Sequence, residues 1–190
     1  PTEIIKPDIG KELFKKIEKI EKITGDNFNR DTAESRELKL DVFRTMIDQI
    51  NSFLEGQHNL AILELPEIDN SSSTIKYTQT FFKALFKIAK GRSKSASKIC
   101  LVLEEAHTII PEWNFSGVND RSSQPLINSI AQIALQGRKY NIGLLVIAQR
   151  TANVSKTILT QCNSIVAFQQ YDKTSIDFLS NYFGTDISAR

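Results

Sequence analysis

Between Ile9 and Ile23 the apolar residues Leu13, Phe14, Ile17 and Ile20 recur at helical spacing among lysines and glutamates. That period predicts a short amphipathic helix, ended by Gly25, Asp26 and Asn27. A longer stripe runs from Leu38 through Val42, Met46 and Ile50 to Leu54, with Asp31 or Thr32 placed to cap it and Gly56 to stop it. Residues 1–56 are therefore expected to form a helical segment. Beyond Gly56 the pattern changes to short apolar runs bounded by turns: Leu60 to Leu65, Ile99 to Leu103, Ile142 to Ala148 and Ser164 to Phe168. Runs this short and this continuous read as strands buried on both faces, as in a parallel sheet. Helical stretches separate them at about 74–89, 125–138 and 155–161, and a last one covers about 173–183. Strand alternating with helix makes an α/β sheet with crossover helices the economical topology.

Composition sets this pattern in an ordinary globular chain. Of 190 residues, 41% are apolar and 24% charged, enough to build one good core. No apolar run approaches the roughly 20 residues that cross a bilayer, and no charged-then-apolar leader opens the chain, so a cytoplasmic protein without membrane insertion is expected. Cys100 and Cys162 lie near neither another thiol nor His58 or His107 at metal-ligand spacing. They read as reduced, buried cysteines, and structural zinc is not expected. The net charge is only +2, but the basic excess falls after residue 60. Lys76, Lys83, Lys87, Lys90, Arg92, Lys94 and Lys98 follow one another with no acid between Asp69 and Glu104. Such a run is either a surface for an anionic partner or a solvated helix end followed by a Ser-rich turn.

The string ICLVLEEAH (Ile99 to His107) drives an apolar strand directly into Glu104 and Glu105. Adjacent carboxylates at the carboxyl end of a buried parallel strand stand where open α/β sheets bind ligands. In a nucleoside triphosphatase the first would hold Mg²⁺, usually through water, and the second would polarise the attacking water. Phosphoryl transfer needs little more than such positioning and charge compensation. Acids also end strands simply because loops are wet. The string gains meaning from two others downstream, GRKYNIGLLVIAQR (Gly137 to Arg150) and SKTILTQCNSIVAF (Ser155 to Phe168).

Taken in order, these strings make the stretch from about Asn59 to Phe183 resemble the ATPase domain of the HerA-like helicases, in the FtsK/HerA branch of P-loop motors. ICLVLEEAH is similar to that family's Walker B strand, and NSIAQIALQGRKYNIGLLVIAQR to its next helix, Gly-Arg-Lys turn and strand. ILTQCNSIVAF is similar to its Leu-Ser-Gln-Cys-Asn strand, and NLAILELPEID to the strand before Walker B. EEAH alone also echoes the DEAH box, yet no Ser-Ala-Thr element follows it. The resemblance implies that residues 57–190 are the C-terminal part of a RecA-like P-loop core, α/β with a mostly parallel sheet. It implies that residues 1–56 are a variable helical insert. It further implies ATP and Mg²⁺ as cofactors, a homohexamer moving double-stranded DNA, and an effector such as a NurA-like nuclease as partner.

Carried over by position, Glu104 takes the metal side of Walker B and Glu105 the catalytic glutamate. Gln149 takes a sensor position facing the γ-phosphate, and Arg138 that of an arginine finger reaching a neighbouring subunit. Each has a plainer alternative. Arg138 and Lys139 suit the negative end of a helix, Gln149 can be a hydrogen-bonded strand end, and His107 reads as a packing or hydrogen-bonding group rather than a base. The long loop from Pro111 to Pro125 adds Trp113, Phe115 and Arg121 as a pore or interface element, although the two aromatics can equally tuck into a groove of their own subunit. Arg121 and Lys94 are the candidate DNA contacts.

A P-loop needs Gly-x-x-x-x-Gly-Lys-Ser/Thr, whose amides and lysine hold the phosphates. None of the eight glycines is followed by Lys-Ser or Lys-Thr, and Gly10-Lys11 runs into Glu12. The expectation is thus a Walker B-containing fragment of a larger motor, inactive by itself. Two other readings stay open: a non-catalytic ring-assembly or partner-binding module on the same fold, and a conjugation- or packaging-type motor of the same superfamily.

Overall fold

A computed structural model of the chain describes residues 2–4, 7–24, 32–63, 72–110, 112, 124–149 and 153–183. Its elements run β1 (Thr2–Ile4), α1 (Pro7–Thr24), α2 (Ala33–Glu55), β2 (Leu60–Ile62), α3 (Ser72–Gly91), β3 (Ile99–Leu103) and α4 (Ala106–Ile109). There follow α5 (Gln124–Gln136), a 3₁₀ turn (Gly137–Tyr140), β4 (Ile142–Val146), α6 (Lys156–Leu159) and α7 (Lys173–Phe183). It is a mixed fold of helices and parallel strands, compatible with the α/β class.

The two N-terminal helices form where the apolar stripes place them. Thr32 caps α2 in a reciprocal pair: its Oγ1 accepts from the Ser35 N–H and Ser35 Oγ from the Thr32 N–H, both at 3.1 Å. Leu13, Phe14, Ile17 and Ile20 of α1 bury against Val42, Met46 and Ile50 of α2, and Tyr77, Ala84 and Leu85 of α3 complete this first core. The remaining apolar side of α3, with Phe82, Phe86 and Ala89, packs into a second core with Leu103, Ile130, Ile133 and Ile158. One helix therefore serves both cores.

The strands depart from expectation in three ways. First, β1 lies within the segment expected to be wholly helical; it pairs in parallel with β2, from Thr2 with Leu60 to Ile4 with Ile62. Only Leu60–Ile62 of the run up to Leu65 is strand, and residues 64–65 lie outside the described residues. Second, β3 and β4 pair in parallel from Ile99 with Ile142 to Leu103 with Val146, but they are buried on one face only. Leu101, Leu103, Ile142, Leu144 and Val146 face the helices, whereas Cys100, Val102, Leu145 and Ile147 are exposed. Burial thus alternates along each strand, as it does when one face has no cover. Cys100 is consequently not buried, and Cys162 is only half-buried, which still pushes its thiol pKa up.

Third, Ser164 to Phe168 is no strand. It carries no ladder, and Val166 and Phe168 are 80% and 82% exposed. β-propensity expresses itself only where a neighbouring strand supplies partners, and no described strand pairs with this run. No described helix is long and apolar enough to cross a membrane.

Candidate active site

Strand pairing continues past the last residue of β3. The Ile147 N–H donates to Leu103 O at 2.8 Å and the Ala106 N–H donates to Ile147 O at 2.9 Å, so the chain turns at Glu104-Glu105 while still tied to β4. Glu105 makes this turn in a left-handed conformation, φ 48° and ψ 45°. Its carbonyl accepts from the Thr108 N–H at 2.9 Å and from Thr108 Oγ1 at 2.8 Å, which pins the turn from the far side.

The same turn aims the Glu105 side chain at the end of β4. Gln149 Nε2 donates to Glu105 Oε1 at 2.6 Å. His107 Nδ1 stands 3.3 Å from Oε2, an approach not aligned as a hydrogen bond but attractive whenever the imidazole is protonated. Glu104 is exposed, and its carboxylate bonds to no described residue. Glu104, Glu105, His107 and Gln149 are thus gathered at the carboxyl end of two adjacent parallel strands, the position where open sheets hold ligands.

Arg138 is not in this group. It is exposed in the 3₁₀ turn before β4, and a five-residue strand at roughly 3.3 Å per residue separates that end from the carboxylates. The turn is tight because a Cβ on Gly137 would come within 2.6 Å of Ile142 O. Lys94 lies at the same amino pole, where its carbonyl accepts from Asn141 Nδ2 at 2.9 Å. Trp113, Phe115, Arg121 and Arg150 lie outside the described residues.

Two features here have no counterpart in the motif reading. The left-handed Glu105 is one. The other is a clip behind the site: Glu112 Oε2 accepts from the Lys156 N–H at 2.6 Å, the Glu112 N–H donates to Asn153 O at 2.7 Å, and the Ser155 N–H donates to Ile110 O at 2.9 Å. It fastens the chain leaving α4 to the start of α6, which explains the complete burial of Ile110, Val154 and Ile158. The paired segments are far apart in sequence, so no local spacing announces them.

Among the described residues no group of three or more His, Cys, Asp or Glu side chains is placed to hold a metal ion. Mg²⁺ usually takes one or two carboxylates and completes its shell with water and substrate phosphates. An exposed, unpaired Glu104 fits that demand. ATP fits only in part, because no Gly-x-x-x-x-Gly-Lys-Ser/Thr stretch is present to cradle its phosphates.

No protein-family model matches the chain. The similarity is to archaeal helicases. Over 124 residues the chain is 26% identical to "Probable helicase MJ1565" of Methanocaldococcus jannaschii, covering 62% of this chain and 22% of that protein. Over 92 residues it is 30% identical to the "Probable DNA double-strand break repair helicase HerA" of the same organism, covering 47% of this chain and 17% of that protein. The chain spans about a fifth of the length of these curated relatives. Sequence similarity over part of the chain thus supports a HerA-like helicase-family relationship, in agreement with the ordered motifs.

Proposed function

We propose that the chain is the Walker B-bearing part of a HerA-like ATPase motor, with Glu105 as its catalytic glutamate. The 2.6 Å bond from Gln149 Nε2 to Glu105 Oε1 is the observation that carries this reading. A group that polarises water must be held in one orientation and keep a lone pair free. An ionised carboxylate has about four acceptor positions, so the bond to Gln149 fixes Glu105 and leaves room for a water. Gln149 then takes the sensor role and Glu104 the Mg²⁺ side, through water. When bound, ATP with Mg²⁺ would supply the phosphoryl group and its charge compensation.

On this reading the phosphate cradle comes from residues beyond these 190. Two observations support it: the chain corresponds to about a fifth of its relatives, and Val102, Leu145 and Ile147 on the outer β3–β4 face are left about half exposed. Arg138, at the opposite pole from Glu105, suits use as an arginine finger toward a neighbouring subunit, a contribution of about 10³ to 10⁵ in rate where such fingers act. A cytoplasmic homohexamer moving double-stranded DNA, with a NurA-like nuclease or another effector as partner, completes the proposal.

The test is DNA-stimulated hydrolysis by the longest polypeptide containing this sequence, beside its Glu105→Gln variant and the 190-residue chain. Hydrolysis by the long chain alone, reduced at least about 100-fold in the variant, is the expected result. A long chain that assembles but does not hydrolyse ATP overturns the motor reading in favour of an assembly module.

A further inference from the structure

Three cations on the N-terminal side of the molecule are held by acids. Lys16 pairs with Asp41 at 2.6 Å, Lys19 with Glu34 at 3.0 Å and Lys76 with Glu21 at 2.8 Å. Past Lys76 this stops. Lys83, Lys87 and Lys90 stand exposed on one face of α3, along a groove of about 270 Å³ floored by Phe82 and Phe86 and faced by Ser129 and Gln132 of α5. None of the three forms an ion pair with a described residue. Lys87 Nζ lies 5.3 Å from the Phe43 ring centroid and Lys90 Nζ 4.3 Å from that of Phe86, so aromatic rings position the charges without neutralising them.

The line of charge continues where α3 ends. Both α3 and α5 finish at the amino pole of the β3–β4 pair, and Arg92, Lys94, Lys98, Arg138 and Lys139 collect there. This pole is built rather than loose. Asn141, left-handed at φ 60°, donates from Nδ2 to Lys94 O at 2.9 Å and to Ala96 O at 3.3 Å, and its own carbonyl accepts from the Ile99 N–H at 2.8 Å. Arg92 Nη1 donates to Ser97 O at 3.0 Å. These five also form no ion pair with a described residue, and the sequence supplying them, residues 70–103 and 121–171, contains no acid. Helix dipoles account for cations in a last turn. They do not account for Lys83 farther up α3, or for Lys94 and Lys98 beyond its end.

We infer that the lysine-lined α3–α5 groove and, at the amino pole of the β3–β4 pair, Arg92, Lys94 and Lys98 form one track that docks the phosphate backbone of duplex DNA, with Arg138 left to a neighbouring subunit. Lys83 to Lys90 alone extends about 10 Å along the helix at 1.5 Å per residue, a length of duplex axis over which each strand presents about three phosphates. Cations lacking acidic partners gain most from an anionic polymer, because neutralised phosphates release their condensed counterions. The choice of duplex DNA rests on the HerA-like reading; the track itself does not.

The test is anisotropy of a labelled duplex against the longest polypeptide containing this chain, between about 50 and 200 mM salt. Lys83→Gln/Lys87→Gln/Lys94→Gln should weaken binding roughly tenfold or more and flatten the plot of log affinity against log salt by ~0.9 for each phosphate no longer neutralised. Lys16→Gln/Lys19→Gln should leave both unchanged, and arginine at positions 83, 87 and 94 should restore the slope. A triple glutamine variant with the unaltered slope overturns the track, including the case in which assembly or hydrolysis falls instead, which would assign these cations to a neighbouring subunit. Glu105→Gln separates the two proposals: it should abolish hydrolysis and keep the salt slope, so a failure of either is seen alone.

Discussion

A left-handed backbone costs a residue with a side chain about 1 to 2 kcal/mol, and Glu105 adopts one. Three bonds hold it there, from the Ala106 N–H to Ile147 O and from the Thr108 N–H and Oγ1 to Glu105 O. Glycine avoids this cost because it has no Cβ. We therefore expect Glu105→Gly to be more stable than Glu105→Ala by about 1 kcal/mol, reversing the usual preference for alanine, as measured by chemical denaturation. Equal stabilities would show that the turn relaxes once the carboxylate is gone. The acidic pair is legible in ICLVLEEAH because an apolar run ending in two carboxylates is a local signal. The conformation of Glu105 and its bond to Gln149 are not local, since they depend on the register that sets Leu103 opposite Val146. Nor does the sequence separate Arg138 from the carboxylates; strand direction does.

Among elements, α3 carries the clearest pH signature. Burial pushes the Tyr77 phenol from its ordinary 10 up to about 12. The folded chain therefore holds that proton more tightly than the unfolded chain. The corresponding stability is fully present below pH 10 and is lost as pH rises from 10 through 12, an effect on the order of 2 to 3 kcal/mol. Tyr77→Phe should flatten the alkaline fall in denaturation midpoint between those values; a fall of the same depth in both proteins would place its origin elsewhere. Helices are legible nearly to their ends, because a 3.6-residue period reports the face that meets the core, as in α1 and α2. Strands are less so. β1 offers three residues and no period, and Ser164 to Phe168 has the composition of a strand without a neighbour to pair with. A helix satisfies its own backbone, whereas a strand depends on residues elsewhere.

At the scale of the molecule, apolar cover is uneven. The helices bury one face of the β3–β4 pair, and Val102, Leu145 and Ile147 remain about half exposed on the other. Exposed apolar surface of this kind favours association, so the isolated chain should sediment with a weight-average coefficient that rises with concentration. Leu145→Lys/Ile147→Lys should suppress the rise. A concentration-independent value for the unaltered chain would mean that the face is too small or too twisted to pair.

The sharing of α3 between two cores also bears on how the chain can be divided. Residues 1–56 read as an insertion in the sequence, separable on paper at Gly56. In space, α1 and α2 are the roof over Tyr77, Ala84 and Leu85. Trimming the chain at that boundary would unroof α3 along one whole side while leaving the carboxylate pair untouched. A minimal catalytic piece drawn by motif would thus be smaller than the smallest piece able to stay folded.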